Sequence, residues 1–393
     1  MTSRTYAIAV PVVAALVAAC TATTSVTSTP QGTPPLVVVP DAAPPMETVD
    51  SAVGMPLSDA LEGLASDWRV RAADYLDAQT NGWLTAQPTA GNNVKCAMSC
   101  HTSYPYMLAH SALAEDSASG TVNMVRAQIE ARIVALAAKT AKPYYGAAGS
   151  AKERESFGTE SVLNATALAM NEKLSGAEVS AKTKQALEQM WKLQRADGTW
   201  DWIEYGLFPW ETRNDWAVAM AAITTGSLGL DITQSQAASV TKMKAYVQKR
   251  LASTSDPVTL HDRVAFLWAK SAQADIMTDA QALAITDELA ATQLADGGFS
   301  LGAWRSGRLA STRADSSDGY ATAVATLALC KSAPGGAARE DVVRGLKWLA
   351  THQAPSGAWP GVSVNSNKAL NQEFMTDAAT AYATIVITSC VAK

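Results

Sequence analysis

One turn recurs through this chain, and it constrains the fold more than any other feature. An amphipathic helix ends in Gln, a turn containing Gly follows, and an aromatic residue closes it. The turn is written Gln194-Arg195-Ala196-Asp197-Gly198-Thr199-Trp200, Gln293-Leu294-Ala295-Asp296-Gly297-Gly298-Phe299 and Gln353-Ala354-Pro355-Ser356-Gly357-Ala358-Trp359. A degenerate copy stands at Gln79-Thr80-Asn81-Gly82-Trp83. Glycine accepts the left-handed conformation that a tight helix C-terminus demands. The Gln amide is placed to bond free carbonyls at the helix end, and the aromatic to pack between neighbouring hairpins. Self-similarity at such a period marks a repeat architecture.

A second row of signals runs between the turns, where a polar residue or two and usually an acid open an alanine-rich helix. The starts read as His101, Glu160, Asp215, Asp262, Asp318 and Asp377, at intervals of 59, 55, 47, 56 and 59 residues. These are six units of one helical hairpin each. Small alanines on the second helix of each pair let six helices approach closely as an inner ring, with bulkier helices outside. The expected fold is all-α, an α/α toroid over residues 57–393. At 48% hydrophobic residues the chain carries enough apolar surface for so large a core. Its 31 basic and 36 acidic residues leave a net charge of −5, which argues against a nucleic-acid partner.

Residues 1–20 read as a lipoprotein-type signal peptide. Arg4 precedes an apolar run from Ala7 to Ala19, too short to span a bilayer, ending in Val17-Ala18-Ala19-Cys20. That ending resembles a bacterial lipobox, with Cys20 as the lipidation site and membrane anchor; cleavage after Ala19 without modification is the other reading. Residues 21–56, rich in Pro, Thr and Ser, form a tether that cannot fold alone. The expected location is the periplasmic side of a bacterial membrane, an oxidising compartment.

The Gln…Gly-aromatic turns resemble the QW motifs of squalene–hopene cyclases, and the six hairpins match one α/α barrel of the terpenoid-cyclase/prenyltransferase superfamily. The resemblance covers about residues 60–390. It implies an apolar ligand, a terpenoid or lipid, in the central cavity. Squalene–hopene cyclases protonate an alkene with an Asp-x-Asp-Asp motif; the nearest match is Asp315-Ser316-Ser317-Asp318, so Asp315 and Asp318 are the candidate catalytic acids of a class II cyclase. Protein prenyltransferases hold zinc through Asp, Cys and His, and no matching Asp-x-Cys segment occurs here.

If the inner helices run parallel, Glu160, Asp215, Asp262, Asp318 and Asp377 form a ring at one barrel mouth, where capping and the helix dipole account for acids and lower their pKa. His101 breaks the pattern, behind Cys96 and Cys100 in Lys95-Cys96-Ala97-Met98-Ser99-Cys100-His101-Thr102. Three readings are open. The thiols attach a c-type haem whose iron His101 ligates, as the similar Cys-x-x-Cys-His-Thr segment of bacterial squalene-cyclase-like proteins implies, although three residues separate the cysteines here. A distal ligand would come from His261 or Met375. Alternatively, a Cys96–Cys100 disulfide staples the loop, or the cluster holds zinc or another metal with a fourth ligand from elsewhere. Cys330 and Cys390, 12 and 13 residues after Asp318 and Asp377, stand at nearly the same height on consecutive inner helices and are expected to pair. His110 and His352 carry no expected role. The functions in view are an apolar-ligand carrier, a haem redox protein, a terpene cyclase, and a scaffold presenting its acids to a partner or cations.

Overall fold

The computed structural model describes residues 59–85, 98–113, 119–229 and 234–391. The signal segment, the tether, Cys20 and Cys96 lie outside the described residues.

Helix capping is written into the sequence. Ser150, Ser180, Thr259 and Thr278 each accept a backbone N–H three residues on, and Thr278 completes a capping box with Gln281. Twelve α-helices result among the described residues: α1 (Trp68–Thr85), α2 (Ser103–Leu113), α3 (Ser119–Ala137), α4 (Ala151–Leu174), α5 (Ala181–Lys192), α6 (Asp215–Leu228), α7 (Gln234–Ala252), α8 (Leu260–Lys270), α9 (Asp279–Ala290), α10 (Gly319–Ser332), α11 (Glu340–Thr351) and α12 (Ala369–Val391). Two kinds alternate. The odd-numbered helices are one-sided, as in α5, where Thr183, Ala186, Leu187 and Met190 make a buried stripe. The later even-numbered helices are alanine- and threonine-rich and buried nearly all round, as in α6, α10 and α12. Several of their threonine hydroxyls bond within the helix: Thr225 bonds the Ala221 carbonyl, and Thr380, Thr384 and Thr388 each bond the carbonyl four residues back.

The even helices close a ring. α2 packs on α4, α4 on α6, α6 on α8, α8 on α10, α10 on α12, and α12 on α2. The odd helices form the outer shell, so the architecture is the expected α/α toroid of six hairpins. α12 is long and apolar enough to cross a membrane, yet it is one of the ring helices and mostly buried inside the protein. Cys330 of α10 and Cys390 of α12 are joined in a disulfide, with Cα atoms 6.3 Å apart.

The turns work differently from the expectation for their Gln. The Gln194, Gln293 and Gln353 amides donate to the carbonyl of their own turn glycine region, at Gly198, Gly297 and Gly357, and to the next outer helix, at Ser239, Asp341 and Trp68. The third of these joins α11 to α1 and closes the outer shell. The helix-end carbonyls are taken by the aromatic instead: Trp200 and Trp359 indole N–H groups donate to Met190 and Leu349, both at 2.7 Å. Gly357 has φ +89° and lies so near α1 that a Cβ there would sit 2.1 Å from the Arg71 carbonyl oxygen. Glycine is required twice over, for its φ and for the close approach. The degenerate copy at Gln79–Trp83 is not a turn at all. It lies within α1, where Gly82 meets nothing and keeps a helical backbone.

Candidate functional site

The acids of the inner ring differ in where they stand along their helices. Asp215 opens α6, Asp262 lies in the first turn of α8 and Asp318 caps α10, but Glu160 and Asp377 lie well inside α4 and α12. Three of the five reach outward to a neighbouring outer helix, and Asp262 and Asp318 take local partners. Asp215, fully buried, forms a two-pronged ion pair with Arg250 of α7 at 2.8 and 3.0 Å and accepts the Tyr246 hydroxyl at 2.6 Å. Glu160 does the same with Arg132 of α3 at 2.5 and 2.7 Å. Asp377 accepts the Tyr75 hydroxyl of α1 at 2.9 Å and Thr102 at 2.6 Å. Asp262 accepts the Thr259 hydroxyl. Asp215, Glu160 and Asp377 thus fasten the ring to its shell.

Asp318 accepts the N–H groups of Ala321 and Leu301 at 2.9 and 2.7 Å. Burial nonetheless raises its pKa to about 7, so desolvation outweighs the helix-terminus effect expected to lower it. Asp315 is exposed on the preceding loop. Neither residue lines the axial cavities described next.

Aromatic rings fill the axis. Tyr104 meets Trp216 edge-on at 5.5 Å, Tyr320 meets Tyr382 at 5.6 Å, and Trp268 meets Tyr382 at 6.2 Å. A polar chain crosses them. Asp262 lies 3.2 Å from His261 Nδ1, His261 Nε2 lies 2.8 Å from the Tyr320 hydroxyl, and the Trp210 indole donates to that same hydroxyl at 3.0 Å. His261 therefore does reach inward, but every nitrogen of its ring is already engaged. A cavity of about 10 Å³ remains, lined by Trp216, His261, Trp268, Tyr320 and Tyr382 among others.

A second cavity, of about 20 Å³, is lined by Met98, Cys100, His101, Tyr145, Ile203 and Glu211 among others. Each holds about one water molecule. Unpaired polar atoms gather at the second. His101 Nε2 and Glu211 Oε2 are buried with no hydrogen-bond partner. Burial holds the His101 imidazole neutral, its pKa pushed down to about 3, and raises Glu211 to about 8. The Cys100 thiol is pushed well above its ordinary range by burial and by Glu211. A neutral carboxylic acid thus faces a thiol and a neutral imidazole, a set suited to donating a hydrogen bond or a proton, not to thiolate chemistry.

Glu211 was not legible as a site residue. It belongs to no repeat signal and sits in the long segment between the Gln194 turn and α6. A compact knuckle positions it: its carbonyl accepts the N–H groups of Tyr205 and Gly206, and its own N–H donates to Leu207.

No family model and no curated protein matches this chain. Among solved structures, a type II terpene cyclase from Scytonema, determined in complex with geranylgeranyl dihydroxybenzoate, is similar over 82% of this chain and 99% of its own. The sequence identity is 12% and the TM-score 0.46. At that level the likeness bears on no residue and no reaction.

Of the expected haem site, Cys100 and His101 lie among the described residues. Phe374 stacks on the His101 ring with centroids 3.8 Å apart, and Trp83 meets its edge at 5.1 Å. Among the described residues no group of His, Cys, Asp and Glu is arranged to hold a metal ion. The largest cavity described, about 570 Å³, is an open groove outside the ring between α3, α4 and α5, with Leu136, Phe157 and Leu193 beside Lys139, Lys192 and Glu188.

Proposed function

We propose that this protein is an exported toroid, held at a membrane through lipidated Cys20, that takes an apolar small molecule of isoprenoid or lipid type into its axis. One observation carries the reading: the Glu211 carboxyl, kept neutral by burial, has its Oε2 buried without a hydrogen-bond partner at the cavity it shares with Cys100 and His101. An unmet polar atom so deeply buried is costly unless something answers it. A ligand with a long hydrocarbon body and one accepting oxygen, an alcohol or carbonyl, answers it. The aromatic faces of Trp216, Tyr320 and Tyr382 suit the hydrocarbon, and they suit a transient carbocation equally well. Glu211, not Asp315 or Asp318, is then the acid placed to protonate an alkene.

The test is binding of geranylgeraniol and of squalene to wild type and to Glu211→Leu. The alcohol is expected to lose about fivefold to tenfold in affinity in the variant, the worth of one hydrogen bond, while the hydrocarbon does not. Absence of binding by either compound, or equal loss for both, overturns the reading. Metabolic labelling with palmitate that persists in Cys20→Ser overturns the anchor.

A further inference from the structure

Cavities of about 20 and 10 Å³ admit no isoprenoid, so a route into the axis has to open. The loops entering the inner helices close it. The knuckle before α6 carries Phe208 at its tip, and the Phe208 ring meets His261, which lines the smaller cavity, edge-on with centroids 5.4 Å apart. Asn365, in the loop before α12, holds that tip from the other side. Its amide donates to the Phe208 carbonyl at 2.5 Å, and its oxygen accepts the Phe208 N–H at 3.3 Å. α6 and α12 stand opposite one another in the six-membered ring. The pair therefore spans the mouth from one side to the other. The loop before α10 is laced into the same strap, since the Leu309 N–H donates to the Val364 carbonyl. A side chain at Gly307 would strike Asn365 and Val364.

We propose that the Asn365–Phe208 pair is the latch of a gate, and that Phe208 is the plug it holds over the axis. This rests on the axis being a ligand site. The base of the knuckle is closed by the bonds of Tyr205 and Gly206 to the Glu211 carbonyl. The tip can lift while Glu211 stays at the larger cavity. Only the unlatched form binds, so apparent affinity is reduced by the fraction unlatched. Weakening the latch then speeds association and tightens apparent binding.

The experiment follows the apolar fluorophore N-phenyl-1-naphthylamine by stopped flow, and backbone hydrogen exchange, in wild type, Asn365→Ala and Asn365→Asp. Asn365→Asp keeps an acceptor for the Phe208 N–H and loses the donor to its carbonyl, so it reports the latch even where alanine harms folding. Both variants are expected to raise the association rate at least about fivefold, from the worth of one or two hydrogen bonds. Exchange is expected to quicken at Phe208 and Leu309 while the amides of α6 and α10 keep their protection. Faster exchange with unchanged association overturns the gate and leaves the ligand site standing. No fluorophore binding in any of the three proteins overturns the ligand site, and the gate with it.

Discussion

Replacing Glu211 by glutamine should change stability by an amount that depends on pH in a calculable way, moving in the variant's favour as pH rises. The carboxyl has an ordinary pKa of 4.5 in the unfolded chain and about 8 in the fold, raised by burial and little relieved by Lys152, which is itself bonded to Glu155. A raised folded pKa means the native state binds the proton more tightly. No stability is lost below pH 4.5. The loss grows as pH rises from about 4.5 to about 8, and is complete above that. At pH 7 the two constants correspond to about 3 kcal/mol, as an order of magnitude. Glutamine cannot ionise, so the variant escapes this slope. Its buried amide still lacks a partner and lowers the whole curve by a constant of about 1–3 kcal/mol. Asp318 and Asp377 are raised in the same direction, but they are common to both proteins and cancel in the difference. Urea denaturation of both proteins from pH 4.5 to 8.5 measures it. The stability difference should move in favour of Glu211→Gln by roughly 3 kcal/mol or more across that range. A difference independent of pH would show that Glu211 ionises as freely in the fold as outside it, and the neutral-acid argument would be lost.

Three further outcomes follow from the fold. Arg250→Leu strands the fully buried Asp215 and should cost about 3–5 kcal/mol, while the Asp215→Leu/Arg250→Leu pair should cost markedly less; a double-mutant cycle by urea denaturation checks this. Gly357→Ala meets both an adverse φ and the Arg71 carbonyl and should cost more than about 2 kcal/mol, whereas Gly82→Ala, in the open on α1, should gain up to about 1 kcal/mol; thermal unfolding compares them. Protein made in a periplasm with haem-maturation machinery should show no Soret band and no haem stain on a denaturing gel, because Phe374 and Trp83 enclose His101.

What was legible in the sequence was whatever is local. The Gln194, Gln293 and Gln353 turns announce themselves because a glycine with positive φ and a helix end are decided within seven residues. The Gln79 copy misled because the same letters suit a helix when nothing crowds Gly82. The positions of the ring acids were readable, but their directions were not. Arg132, Arg250 and Tyr75 come from 28, 35 and 302 residues away, and only packing says which neighbour an acid turns to. Helix starts at Glu160 and Asp377 were misplaced because α4 and α12 begin upstream in polar stretches that look like loop. Cys330 and Cys390 were readable because equal height on adjacent ring helices follows from the repeat. Glu211 and Asn365 were invisible for the opposite reason: burial and a contact across the ring make their chemistry, and neither residue type is unusual where it stands.

The central claim is that the ligand site is the axis beneath Phe208. Photocrosslinking with a benzophenone ether of geranylgeraniol, mapped by peptide mass spectrometry, tests it most directly. Adducts are expected on axial residues, Met98, Tyr104, Met220 and Tyr382 foremost, increasing in Asn365→Ala and competed by unlabelled alcohol. Adducts confined to the groove between α3 and α5, at Leu136, Phe157 or Leu193, would contradict it.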